Sequence, residues 1–232
     1  LASRFTARVH RLLRDAPARF EVIHMPPFEP AEVRAVAERL DGVRRGWAAD
    51  AAPAVTALSG GLPAAAHILL ASMAAMGPAI DAVAALAASM APDGAMTARC
   101  RESYEFRLHR ARGYGALKAI LGILATEEPL NLTDIARELH RTPGSTKDYL
   151  SWLEDVDLVT MRGKRYAFTD PLLRLYVRLY GRPVPPTDDE IVREISTFAR
   201  ARLPLASEIP AVAPAAPVAS SRPVEAGIIE ID

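Results

Sequence analysis

Cysteine is almost absent from this 232-residue chain, in which Cys100 is the only one. A single thiol excludes an intramolecular disulfide framework and a zinc site built from several cysteines, and it fits a reducing compartment. We expect Cys100 to be a buried or half-buried structural thiol.

Net charge is absent as well, because 28 basic residues balance 28 acidic ones. No overall field therefore attracts the chain to nucleic acid or to a membrane, and any such binding must come from a local patch. Uninterrupted apolar runs fall short of the ~20 residues of a membrane helix, and the N-terminus lacks the layout of a signal peptide. The sequence thus predicts a cytoplasmic protein without a membrane partner.

Several motifs of enzyme chemistry are also missing. The sequence has no G-x-x-x-x-G-K-[ST] phosphate loop and no G-x-S-x-G nucleophile turn. Its five histidines, at positions 10, 24, 67, 109 and 140, are scattered without the spacing of metal ligands. We therefore predict no catalytic residue and no metal site in this chain.

Helix signals, by contrast, are abundant. Apolar spacing predicts a helix over 5–15 and, after a short strand at 20–25, a helix that Pro30 opens and Gly42 follows as C-cap. The alanine-rich region that follows predicts further helices at 54–58, 62–76, 80–90 and 96–112.

Two glycines and a proline interrupt this region in "LSGGLPAAAHILL", from Leu58 to Leu70. Glycine permits a sharp turn, and proline is well tolerated in the first turn of a helix. The pattern predicts a loop that leads into a helix N-terminus. Such an N-terminus can face an anionic ligand, or it can form a tight corner between helices.

The C-terminal half has a different order. A helix, a second helix capped by Thr133, a turn, a third helix capped by Ser145, and two short strands around "RGKR" follow one another. This is the order of a winged helix-turn-helix. A helix with Asp170 as N-cap and Pro171 at its first position comes next.

The last fifty residues predict one amphipathic helix and then a tail. Proline, alanine and valine dominate residues 204–232, which cannot bury enough apolar surface to offset the entropy of ordering. We expect this tail to be disordered.

Four segments in this order resemble the C-terminal half of a regulatory AAA+/STAND-type ATPase. "LASR" is similar to the end of the sensor-1 strand, "FEVIHMPPFEPAEVRAVAERL" to the entry into the lid, and "GGLPAAA" to the Gly-x-Pro element of the lid. "YLSWLEDVDLV…RYAFTDPLLRLYVRLYG" resembles the winged-helix end of that family.

The resemblance implies a mainly α fold: the edge of an α/β P-loop domain at 1–29, a helical lid bundle at 30–95, a winged helix at 96–182 and a linker helix at 183–203. It also implies ATP or ADP as ligand. Ser3 or Arg4 would sense the phosphate end, Gly60 and Gly61 would shape the lid helix, and Pro63 would contact the base.

The chain departs from the family pattern in lacking the phosphate loop and an acidic strand end for Mg²⁺. We expect both to lie upstream of Leu1, so that the sequence is a fragment and has ATPase activity only together with that upstream domain. Self-association stays open.

DNA contact depends on local charge. Residues 104–182 carry 13 basic and 10 acidic side chains, and the third helix has Lys147 against four acidic residues. That balance disfavours groove binding by the helix as a whole and leaves Lys147 as its single basic candidate. The wing residues Arg162, Lys164 and Arg165 are credible phosphate contacts.

Two functions follow. The first is an ATP-binding switch whose winged helix relays the state of the lid, by packing on the rest of the protein, or contacts DNA. The alternative is a winged-helix transcriptional regulator without ATPase activity.

Overall fold

A computed structural model describes residues 25–40, 47–77, 81–109 and 113–203, together with Val9, Leu13, Arg14 and Ile23. The elements in chain order are α1 Pro30–Ala37, α2 Trp47–Ser59, α3 Pro63–Met76, α4 Ala82–Ser89, α5 Ala95–Leu108, α6 Tyr114–Thr126, β1 Leu130–Asn131, α7 Leu132–Glu138, α8 Pro143–Asp155, β2 Val159–Arg162, β3 Arg165–Phe168, α9 Pro171–Tyr180 and α10 Asp188–Arg200. The chain is mainly helical, as its sequence predicts.

The first four helices form a small bundle. Helix α1 packs on α2, and α3 packs on α4 and α2. Alanines on the buried faces allow the close approach, and Val33, Leu58, Leu69 and Leu86, all at 0% exposure, fill the space between helices.

Helix α2 is longer than the predicted 54–58 because Pro53 lies inside it rather than before it. An interior proline loses one backbone hydrogen bond. Pro53 is exposed, so water can satisfy the free carbonyl, while Ala48, Ala51 and Ala52 bury the opposite face of the helix. The other predicted helices of this region differ from α3, α4 and α5 only at their ends.

Three elements of the C-terminal half form an antiparallel sheet in the order β1-β3-β2. Leu130 pairs with Tyr166 across β1 and β3, and Val159 pairs with Phe168 across β2 and β3. The two strands around "RGKR" were predicted, whereas β1 was not. Helices α6 and α9 pack on β3, and α8 packs on β2.

Both predicted caps of the middle helices are wrong. Asn131, rather than Thr133, caps α7 by accepting a hydrogen bond from the Asp134 N–H at 2.9 Å. Thr142, rather than Ser145, caps α8 by accepting from the Ser145 N–H at 3.3 Å. In each case an earlier side chain of the capping type begins the helix.

The two halves share one core through α9 and α10. Helix α9 packs on α5 and α6, and α10 packs on α4 and α9. Tyr180 donates a hydrogen bond to the Met90 carbonyl at 2.6 Å. Buried apolar residues form one cluster from Val33 to Ala199. The division into a lid at 30–95 and a winged helix at 96–182 therefore stays a prediction.

Cys100 lies at the centre of this junction at 0% exposure, which confirms the buried thiol. Its Sγ donates to the Leu172 carbonyl of α9 at 3.7 Å. Burial first, and then the charge of Asp170, raises the pKa of the thiol to about 12. Cys100 is a packing residue that stays protonated.

The predicted strand end at 1–3, most of the helix at 5–15, Gly42 and the tail at 204–232 lie outside the described residues. Val9, Leu13 and Arg14 are helical. The strand expected at 20–25 is wrong at the two positions described there, because Ile23 and Met25 belong to no strand and are 84% and 85% exposed. Among the described residues they have no strand to pair with.

Candidate functional site: the glycine corner and the basic wing

The Gly-Gly-x-Pro sequence forms a sharp corner between α2 and α3. Gly60 and Gly61 have φ values of 64° and 69°, in the left-handed region that glycine favours. Leu62 is the N-cap of α3, and Pro63 takes its first position as predicted.

The backbone of Gly61 is fully occupied. Its N–H donates to the Thr56 carbonyl at 3.0 Å and to Ser59 Oγ at 3.2 Å, and its carbonyl accepts from the Phe28 N–H at 2.7 Å. A Cβ at Gly61 would lie 2.6 Å from the Phe28 carbonyl oxygen and 2.9 Å from Pro27 Cβ. The positive φ and this close packing require glycine at position 61 without any contribution from a ligand.

Gly60 links the corner to the C-terminal half. A Cβ built on Gly60 would lie 3.6 Å from Pro171 Cγ, so the turn lies close to the first residue of α9. Asp170, the N-cap of α9 as predicted, accepts from the N–H groups of Leu172 and Leu173. Its other oxygen pairs with Arg99 of α5 at 3.1 Å.

Of the predicted nucleotide contacts, the structure describes Gly60, Gly61 and Pro63. The Pro63 ring is exposed, as an apolar surface for a base would have to be. Ser3 and Arg4 lie outside the described residues.

Strands β2 and β3 form a hairpin, which we call the wing, and its tip carries the three predicted basic residues. Gly163 and Lys164 form the turn with φ values of 56° and 65°, and Arg162 pairs with Arg165 across the strands. Side chains alternate along a strand, so these two arginines lie on the face opposite the buried Tyr166. Arg162, Lys164 and Arg165 are all exposed.

This outer face of the sheet borders a groove of about 330 Å³. The groove is lined by Glu128, Pro129, Thr160, Arg162, Arg165, Ala167 and Arg174. Arg165 donates to the Pro129 carbonyl at 3.1 Å, and Glu128 accepts from the Phe168 N–H at 2.7 Å and pairs with Arg174 at 3.3 Å. These contacts hold the wing against α9.

Lys147 is exposed on the first half of α8 and is not among the residues that line this groove. Asp148 is exposed beside it, whereas Glu154, Asp155 and Asp157 lie half-buried at the far end of the helix. Burial first, and then Asp155, raises the pKa of Glu154. The four acidic residues are therefore not spread along one open face of α8.

Sequence reasoning missed Arg99, Glu128, Asp170 as an ion-pair partner, and Arg174. Arg99 and Asp170 lie 71 positions apart in the sequence, so no local pattern places them together. The "DPLLR" sequence was the one usable signal, because it contains both Asp170 and Arg174.

Within 25–40, 47–77, 81–109 and 113–203, no cluster of three or more His, Cys, Asp or Glu residues could hold a metal ion. None of the helices in these ranges is both long and apolar enough to span a membrane. Comparison with protein-family models, with curated proteins and with solved structures finds no match to this chain.

Proposed function

We propose that this chain is part of an ATP-dependent regulatory switch of the AAA+/STAND kind, in which α1–α4 form the lid and α6–β3 a winged helix that contacts DNA. The proximity of Gly60 to Pro171, which a side chain at position 60 would contact, is the observation that carries the proposal. It joins the segment expected at the nucleotide to the helix that holds the wing.

The element order supports a winged helix. Three helices, α6 to α8, precede the β2–β3 hairpin, and β1 follows α6 and pairs with β3. The hairpin ends in a basic tip without a carboxylate partner at Arg162 or Lys164 among the described residues. Such a tip suits a phosphate backbone.

Packing on the rest of the protein and contact with DNA are compatible roles for the proposed winged helix. It is joined to the rest of the protein through α9 and α10, whereas the wing tip and Lys147 of α8 stay exposed. One surface can therefore relay a state while another contacts DNA.

DNA binding is tested by fluorescence anisotropy with a labelled duplex. Replacing Arg162, Lys164 and Arg165 together by alanine removes the predicted phosphate contacts, and at 50 mM salt we expect affinity to fall at least tenfold. The control replaces Arg34, Arg39 and Arg101 by alanine, which removes the same charge. These three arginines are exposed and lie in α1, just after α1 and in α5. Equal loss in both triple variants, or tight binding that survives the wing change, contradicts the DNA role.

Nucleotide sensing is tested at Pro63 in a longer protein that includes a P-loop domain before Leu1. Pro63→Ala removes an apolar contact to the base, which should weaken ATP binding by about 1 to 2 kcal/mol. Because proline at the first helical position helps but is not essential, stability should change less. A lower melting temperature with unchanged ATP affinity would reject the lid role. The chain without a phosphate loop should bind ATP at millimolar concentration at best and should not hydrolyse it.

The alternative, a winged-helix regulator without ATPase activity, is favoured by Gly61. Its hydrogen bonds and close contacts explain the glycine without any ligand. The Pro63 experiment separates the two functions.

A further inference from the structure

A second groove lies beside the one at the wing and shares a residue with it. Helices α9 and α10 enclose about 330 Å³ between them, bordered by Pro171, Arg174, Leu175, Arg178, Glu194, Thr197, Phe198, Ala201 and Arg202. Arg174 borders both grooves. The two grooves therefore adjoin at Arg174, and we call their combined lining the arginine strip.

The strip carries five arginines, Arg162, Arg165, Arg174, Arg178 and Arg202, against two glutamates, Glu128 and Glu194. This local excess of positive charge stands out in a chain of zero net charge. It is the kind of patch that attracts a polyanion.

Three of the arginines are held in place by the protein. Arg165 donates to the Pro129 carbonyl, Arg174 donates to the Ala125 carbonyl at 3.2 Å, and Arg178 forms two hydrogen bonds with Glu194 at 2.8 and 3.1 Å. A guanidinium has five N–H donors, so Arg165 retains donors for a ligand, whereas Arg174 and Arg178 are paired with Glu128 and Glu194. The fixed positions reduce the entropy lost on binding.

The two ends of the strip are less constrained. Neither Arg162 nor Arg202 has a carboxylate within ion-pair distance among the described residues. The Arg202 guanidinium lies 4.5 Å from the centre of the Phe198 ring, which orients it without neutralising it. Burial is the main cause that lowers the pKa of Arg202; the charge of Glu128 opposes this effect, Arg174 adds to it and Asp170 opposes it.

We infer that the arginine strip binds the phosphodiester backbone of nucleic acid, so that DNA lies along the outer face of the sheet and α9–α10 rather than against α8. This inference rests on the proposed DNA contact and states which surface makes it. Helix α8 is the poorer surface because Asp148 stands beside Lys147 on its exposed side.

The strip is tested with single alanine variants of the whole chain and a labelled duplex, by anisotropy at several salt concentrations. Arg202→Ala should weaken binding about three- to tenfold and lower the salt slope by about one, the value for one lost phosphate contact. Arg200→Ala removes an exposed arginine two positions away, outside the residues that border the groove, and should change affinity less than twofold. Lys147→Ala should also change it less than twofold. Circular dichroism and melting temperature check that each variant is folded.

Each result has one interpretation. DNA binding that Lys147→Ala weakens and Arg202→Ala does not would overturn the strip while leaving the DNA role intact. Failure of the wild-type chain to bind DNA would overturn both. Polyglutamate that displaces DNA at equal charge concentration, and depends equally on Arg202, would mean that the strip takes acidic protein segments instead.

Discussion

Gly60 and Gly61 have similar φ values, but they differ in what surrounds them. Gly61 is buried against the Phe28 carbonyl, whereas Gly60 is exposed and a Cβ there would make an ordinary contact with Pro171. The left-handed conformation costs any other residue about 1 kcal/mol, and a backbone clash adds to that cost.

We therefore predict that Gly61→Ala lowers the free energy of unfolding by about 2 to 4 kcal/mol, and that Gly60→Ala lowers it by about 1 kcal/mol. Urea denaturation of both variants provides the measurement. Equal losses would show that the contact of residue 61 with Phe28 is not formed.

Cys100 gives a residue-scale prediction on pH. Its pKa is raised from 9.0 to about 12 in the folded protein, so the unfolded chain loses the proton first as pH rises. The stabilisation that the protonated thiol gives to the folded state is therefore complete below pH 9.0 and is lost between pH 9.0 and about 12. Cys100→Ala should therefore reduce the fall in stability between pH 8 and 10.5.

Thiol reactivity checks the same burial independently. At pH 8 a disulfide reagent should modify native Cys100 only as fast as the protein opens, with the rate rising steeply in urea. Rapid modification of the native protein would contradict the burial of this side chain.

At the scale of elements, α10 depends on one apolar face. Ile195 is 0% exposed in the contact with the rest of the core, while Val192, one turn earlier and outside the buried stripe, is 53% exposed. Ile195→Ala should cost about 2 to 5 kcal/mol of unfolding free energy, and Val192→Ala less than about 0.5 kcal/mol. Chemical denaturation of the pair tests whether α10 is docked, because a detached helix would make both changes equally small.

Elements with strong local signals were the predictable ones. Asp170 and Pro171 begin α9 as predicted, and the amphipathic pattern predicted α10, which a capping box at Thr187 and Glu190 begins. Strand β1 has only two residues and exists because Tyr166 pairs with Leu130 from a distant part of the chain. Local patterns contain no information on such pairing.

The residues of the candidate site also differ in whether the sequence alone predicts that they lie together. The wing residues follow one another in "RGKR", so their proximity is evident from the sequence. Arg174 lies in α9 and Arg202 follows the end of α10, and they border one groove only because α9 and α10 pack together. The strip could therefore not be predicted without the tertiary structure.

On the scale of the whole molecule, the basic surface belongs to a unit that α9 and α10 join to helices α4 and α5. Charge on the chain is balanced, so any affinity for DNA must come from the wing and the strip rather than from a general field. The number of phosphates contacted then equals the number of free basic groups on that surface.

The slope of the logarithm of the DNA-binding constant against the logarithm of salt concentration measures that number directly. For Arg162, Lys164, Arg165 and Arg202 together we predict a slope of about −3 to −4, and of about −1 for the variant that lacks the three wing residues. An unchanged slope in the wing variant, with binding intact, would contradict the account, because the phosphate contacts would then lie elsewhere on the molecule.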